Sequence, residues 1–166
     1  MSKTRRLCII AMLLAMAIVL NILESFIPVF IPGVKLGLAN IIILIMLYEF
    51  KPAEAFLVDL LRILLVGLLR GSFMAPTFVM SLCGGMLSFL VMFLFSKIKV
   101  FSPIGVSVLG AVSHASGQVF AAMLLLGTQA VVYYLPFIGI LSIATGVFSG
   151  ILTKVYLSKS ITQRFL

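Results

Sequence analysis

The sequence predicts an all-α integral membrane protein of six transmembrane helices, with both ends on the cytoplasmic side. Three observations lead there. The 166-residue chain is 63% hydrophobic, with a mean hydropathy of +1.34. A spanning helix needs about 20 apolar residues to cross about 30 Å of hydrocarbon, so six such helices occupy most of the chain. The basic residues are grouped: Lys3, Arg5 and Arg6; Lys51; Lys97 and Lys99; Lys154, Lys159 and Arg164. The apolar stretches between these groups each hold an even number of crossings, so the groups share one face of the bilayer. Lysine and arginine mark the cytoplasmic face. Residues 1–166 are therefore expected to form a single transmembrane domain in the cell membrane.

Each element follows from its breaks. Helix 1 is expected over about 6–27; its apolar run continues past Leu20 with no small-residue cleavage site, so it reads as a retained helix and not a signal peptide. Pro28, Pro32 and Gly33 end it and form an outer loop closing near Lys35. Helix 2, about 36–50, is short for a full span. Lys51-Pro52 is a tight inner turn, with Pro52 suited to the first turn of helix 3, about 53–69. Arg70-Gly71-Ser72 opens the second outer loop, and Pro76 restarts the chain into helix 4, about 77–95. An inner loop at 96–102 leads to helix 5, about 103–126. A short outer turn at 127–130 leads to helix 6, about 131–156, and a basic tail. On this topology only Lys35 and Arg70 lie in outer loops. Tyr133 and Tyr134 mark the outer edge, and Tyr48, Phe50 and Tyr156 the inner edge. No internal repeat is visible, unlike the large secondary transporters.

The few polar residues within these helices are the candidate site. Asp59 and Arg62 sit at i and i+3 on helix 3 and share a face. Arg62 lies about 14 Å along the helix, near mid-membrane. A lone charge there costs about 2.5–3.5 kcal/mol on insertion scales. Two readings stay open: a structural ion pair, or a ligand-binding Arg62 held by Asp59. His114, the single histidine, and Gln118 lie at i and i+4 on helix 5, with Ser107 further back. They form a polar stripe that either bonds to a neighbouring helix or meets a ligand. Asn21 and Glu24 on helix 1 and Asn40 at the start of helix 2 join Lys35 and Arg70 as candidates to line a pocket open to the outside.

Small residues mark close helix contacts: Ala11 and Ala15 on helix 1; Ser113, Gly117 and Ala121 on helix 5; Ser142, Gly146, Ser149 and Thr153 on helix 6. The last two sets suit packing within the fold. The helix 1 pair also suits a separate membrane partner.

Several function classes are excluded. The net charge of +8 is a topological excess that also suits anionic lipid, so no nucleic-acid partner is expected. Cys8 and Cys83 are far apart and lack a partner motif. A lone histidine offers no metal site and a weak case for haem, so neither metal nor cofactor is expected. There is no P-loop. Asp59 is the sole aspartate, so no aspartate-rich pair of motifs exists to hold Mg²⁺ and a diphosphate. No catalytic residue is assigned, and the chain is not expected to be an enzyme.

The strings Lys35-Leu36-Gly37-Leu38-Ala39-Asn40, Leu60-Leu61-Arg62, Ser81-Leu82-Cys83-Gly84-Gly85 and Gly110-Ala111-Val112-Ser113-His114 with Gly117-Gln118 resemble the Gx transporter family, also labelled heptaprenyl diphosphate synthase component I. The similarity covers most of the chain. One departure is Ala115, where the family often has asparagine. The family in turn resembles the substrate-binding S components of energy-coupling factor transporters. That resemblance implies an S-component-like six-helix bundle that binds a small nutrient, or a cofactor- or isoprenoid-related precursor. It implies a transmembrane coupling protein and two ATPases as partners, with Ala11 and Ala15 at the docking contact. It also implies substrate contacts from Arg62, His114, Gln118, Asn40, Lys35 and Arg70, favouring an anionic or carbonyl-rich ligand. Relatives also suggest two alternatives: a membrane component of quinone- or flavin-linked extracellular electron transfer, and a membrane partner of a heptaprenyl diphosphate synthase.

Overall fold

The computed structural model describes residues 3–26 and 37–165, and every regular element among them is helical. Six α-helices follow in order: α1 Lys3–Glu24, α2 Asn40–Glu49, α3 Pro52–Leu69, α4 Pro76–Ser96, α5 Pro103–Leu126 and α6 Leu135–Phe165. A 3-10 segment, Gln129–Tyr134, leads into α6. Proline opens α3, α4 and α5 at their first turns, where its missing N–H costs no hydrogen bond. At α3 the Lys51 N–H also donates to Glu54 Oε2 at 3.1 Å. At α5 the Ser102 hydroxyl accepts from the Gly105 N–H, and Gly127 ends the helix in the left-handed region at φ 62°.

Three expected boundaries need correction. Helix 1 ends at Glu24. Helix 6 does not start at 131, because 129–134 wind as a 3-10 helix and the α-helix runs on to Phe165. The largest change is α2, which starts at Asn40 and has 10 residues. At 1.5 Å per residue it is about 15 Å long, half the hydrocarbon thickness. The expected outer loop with Pro28, Pro32, Gly33 and Lys35 lies outside the described residues.

The short helix is the centre of the bundle. α2 touches each of the other five α-helices, and Asn40 and Ile42 to Met46 are all buried. A helix that is apolar on every side is one enclosed on every side. Being sheltered from lipid, α2 needs neither full length nor an amphipathic face. Ile42, Ile43, Leu44 and Met46 pack with Ala17, Ala55, Val58, Met92 and Val106 to form the main apolar core. α5 runs beside it, against α4 and α6.

The outer helices have the opposite character. α1, α4, α5 and the 129–159 stretch are each long and apolar enough to cross a membrane. Large apolar side chains such as Met12, Leu23, Leu90, Phe120 and Phe148 face outward. This makes the chain a multi-pass membrane protein. α3 has 18 residues but carries Glu54, Asp59 and Arg62. At one end of the bundle Arg6 on α1 pairs with Glu54 at 2.7 Å and lies 5.9 Å over the Phe50 ring. That end therefore holds the start of α1, the end of α2 and the start of α3.

Candidate functional site

A polar cluster lies inside the bundle around the start of α2. On α3, Arg62 is 2% exposed and Asp59 3% exposed. They form an ion pair through Arg62 Nη2 and Asp59 Oδ1. The i, i+3 spacing sets this contact within one helix, as expected from the sequence. The same Nη2 reaches Asn40 Oδ1 on α2 at 3.4 Å. Asn40 Nδ2 then donates to Ser88 Oγ on α4 at 2.9 Å, and Ser88 Oγ donates to the Gly110 carbonyl on α5 at 2.8 Å. One hydrogen-bonded chain thus ties four helices through a region without bulk water. Arg62 Nε has no hydrogen-bond partner among the described residues.

α5 supplies the opposite wall. His114 and Gln118 are 4% and 0% exposed, and Gln118 Nε2 lies 2.9 Å from His114 Nε2. Gly84 on α4 makes room for both. A side-chain carbon there would sit 2.7 Å from Gln118 Cγ and 2.8 Å from the His114 carbonyl oxygen, distances real contacts do not reach. Gly117 lets the α4–α5 seam close in the same way: a side-chain carbon there would sit 2.9 Å from the Cys83 carbonyl oxygen.

α1 closes the cluster at the other end. Asn21 and Glu24 are buried. Glu24 Oε1 accepts from the Gly37 N–H and from the Leu38 N–H at 3.2 Å. These two donors precede a tightened first turn in which Asn40 N donates to the Gly37 carbonyl and Ile41 N to that of Leu38. The positive end of the α2 dipole is thus met by a carboxylate from another helix. Gly37, at φ 86°, takes a conformation open chiefly to glycine. A side chain on it would begin 3.2 Å from Asn40 Nδ2 and 3.7 Å from His114 Cδ2. Gly37 therefore links the α1 carboxylate to the Asn40 and His114 walls.

The structure brings Asn40, Arg62, His114 and Gln118 into one buried region, with Asp59 paired to Arg62. It does not bring Arg70 there: this residue is exposed at the end of α3. Lys35 lies outside the described residues. Ala11 and Ala15 are exposed on α1, away from the cluster. Ser88 is not among the residues the sequence points to, and Gly84 and Gly110 enter there only within the strings that carry the family resemblance. A serine in an apolar helix is common, and only the α2 contact gives Ser88 a role. Among the described residues, no three His, Cys, Asp or Glu side chains converge, and Cys8 and Cys83 are free thiols.

A second feature lies on the outward side of the α4–α5 seam. It is a groove of about 910 Å³ lined by Phe56, Cys83, Met86, Phe120, Met123 and Leu135, among others. Its lining is almost wholly apolar, in contrast to the cluster on the inward side.

No curated protein and no solved structure shows significant similarity to the chain. A family model does match, over residues 13–156. That span takes in Asn21, Glu24 and Asn40, the Asp59–Arg62 pair, Ser88, His114 and Gln118. The chain therefore belongs to the heptaprenyl diphosphate synthase component I family.

Proposed function

We propose that this protein is the substrate-binding membrane subunit of an importer of the energy-coupling factor type, and not itself an enzyme. The observation that carries the proposal is the buried polar cluster built by five helices around the start of α2. Intramembrane polar groups are costly, and such groups facing a bundle interior are the default place to look for ligand binding. A half-helix whose terminus ends among polar groups is the arrangement transporters use to hold a solute at membrane depth. The ligand is a small nutrient, or a cofactor- or isoprenoid-related precursor, contacted by Arg62, Asn40, His114 and Gln118.

In this reading the chain crosses the cell membrane six times, with both ends in the cytoplasm. α2 makes its pass as a short helix sheltered by protein. The junction of Arg6, Phe50 and Glu54 forms the cytoplasmic end, beside the basic residues Lys3, Arg5 and Lys51. The exposed Ala11 and Ala15 on α1 face a transmembrane coupling protein, itself driven by two ATPases. Small residues in that position permit close helix approach.

A second reading draws on the apolar groove and on the family's description, which names a component of a prenyl synthase. Here the chain is a membrane partner of a heptaprenyl diphosphate synthase or of a quinone-linked electron-transfer system, and the groove holds an isoprenoid chain. A mild-detergent pull-down of the tagged protein from its native membranes separates the two. Recovery of a coupling protein with two ATPases supports the importer. Recovery of a prenyl synthase, flavoprotein or quinone enzyme without ATPases sinks it.

A further inference from the structure

Among the described residues, each positive element that faces the polar cluster already has a carboxylate. The guanidinium of Arg62 is paired with Asp59. The Gly37 and Leu38 N–H groups, in the turn ahead of α2, both donate to Glu24. Among the described residues, the buried charged groups of the bundle are these three side chains alone, two acidic and one basic. The other groups around them are the neutral Asn40, Ser88 and Gln118, with His114. The bonds to Asp59 and Asn40 both come from Nη2, and on this side chain, 2% exposed, Nε–H has no partner among the described residues.

We infer that the ligand presents an uncharged acceptor, a carbonyl oxygen or a ring nitrogen, to Arg62 Nε, and that the site rejects carboxylate, phosphate and diphosphate groups. This rests on the binding-subunit reading above and narrows it. A further full charge in a buried site is stable only when paired and hydrogen-bonded. An anion here would have to displace Asp59 or Glu24, leaving that carboxylate buried without its partner. A neutral acceptor takes up the free N–H and disturbs neither pair. The amides and the hydroxyl then supply orientation, as the few polar groups of a small-molecule site do.

The test uses the full tagged chain purified in mild detergent from its native membranes. Small molecules released by denaturation are identified by mass spectrometry. In parallel, thermal stability and equilibrium binding are measured with pairs of probes that differ in charge: nicotinamide and nicotinate, pyridoxal and pyridoxal 5′-phosphate, riboflavin and riboflavin 5′-phosphate. The same measurements are made on the doubly neutral variant Asp59→Asn/Arg62→Gln, which retains an N–H donor. The expected result is a retained or bound compound without an anionic group, with affinity in the neutral variant within about tenfold of the parent, as for a neutral hydrogen bond. An anionic compound bound in preference, with affinity in the variant lost by more than about a hundredfold, overturns the inference and leaves the binding-subunit reading standing. Where the variant does not fold, identity of the parent's ligand and the probe pairs decide alone. No retained compound and no response to any probe removes the binding-subunit reading and this inference with it.

Discussion

Asn40 on α2 and Ser88 on α4 share a hydrogen bond of 2.9 Å, and through it the Asp59–Arg62 pair on α3 is connected to the backbone of α5. Asn40 Oδ1 accepts from Arg62, while the Ser88 hydroxyl donates to the Gly110 carbonyl. Neither residue bears a charge. Each uses its donor and its acceptor at once, which is what lets a buried network close.

Ser88→Ala removes the middle of this chain. It deprives Asn40 Nδ2 of its acceptor and the Gly110 carbonyl of a side-chain donor. Interhelical hydrogen bonds in membranes average about 0.6 kcal/mol and reach about 1.7 kcal/mol. The expected loss of stability falls in that range, read by thermal or denaturant unfolding in detergent. Ligand affinity falls as well, because Asn40 is no longer held. A variant with unchanged affinity would mean that Asn40 is positioned by α2 alone.

Arg62→Ala leaves Asp59 buried without its cation, and Asp59→Ala does the converse. Breaking a buried pair from one side costs about 3–5 kcal/mol. Both single variants are expected to unfold at markedly lower temperature. Asp59→Leu/Arg62→Met, of similar volume and without charge, should recover most of the stability while ligand affinity falls by about tenfold, the worth of one hydrogen bond. Recovery of folding with weakened binding separates the structural part of the pair from the proposed ligand contact of Arg62. Failure of the double variant to recover would show that the network beyond the pair sets the fold.

Gly84→Ala tests the packing of the site wall. The added methyl group meets Gln118 Cγ and the His114 carbonyl, both closer than 3 Å. One of these belongs to a side chain and moves; the other is backbone and does not. Overpacking of this kind costs about 1–3 kcal/mol. Gln118 is pushed from His114, so ligand binding should suffer more than stability. A binding assay alongside the unfolding curve checks the ratio.

Much of this arrangement was legible in the chain itself. Hydropathy and the proline breaks place the long helices, because a membrane span is set by length and apolarity. The i, i+3 and i, i+4 spacings place Asp59 beside Arg62 and His114 beside Gln118, since helical geometry alone decides them. What spacing does not reveal is contact between helices. Ser88 and the Gly110 carbonyl join the site only because α4 and α5 meet there. The length of α2 was misread for a related reason. Its apolar run looks like a span trimmed short, whereas enclosure by five neighbours removes the need to reach across the bilayer. Glu24 reads as the outer end of helix 1, but its carboxylate serves the first turn of α2.

The Arg6–Glu54 pair at the other end supplies a contrast. Both side chains are partly exposed, and such pairs are worth under about 1 kcal/mol. Arg6→Gln should therefore leave ligand affinity unchanged and lower stability only slightly, an effect that shrinks further in high salt. A large loss of stability would place this junction in the core of the fold, as the Phe50 ring beneath Arg6 would then be the main contact.

Ala11→Leu addresses the outward face of α1. Ala11 and Ala15 are exposed and one turn apart, so a leucine there meets no residue of the bundle and should not change its stability. Ligand binding, which the proposed function assigns to groups on the inward side, should also be preserved. If a coupling protein packs closely against this strip, the larger side chain separates the two helices and the complex is lost. Pull-down of Ala11→Leu beside the parent chain reads this directly. Intact assembly with intact binding would remove α1 as the docking surface, leaving the polar cluster unaffected.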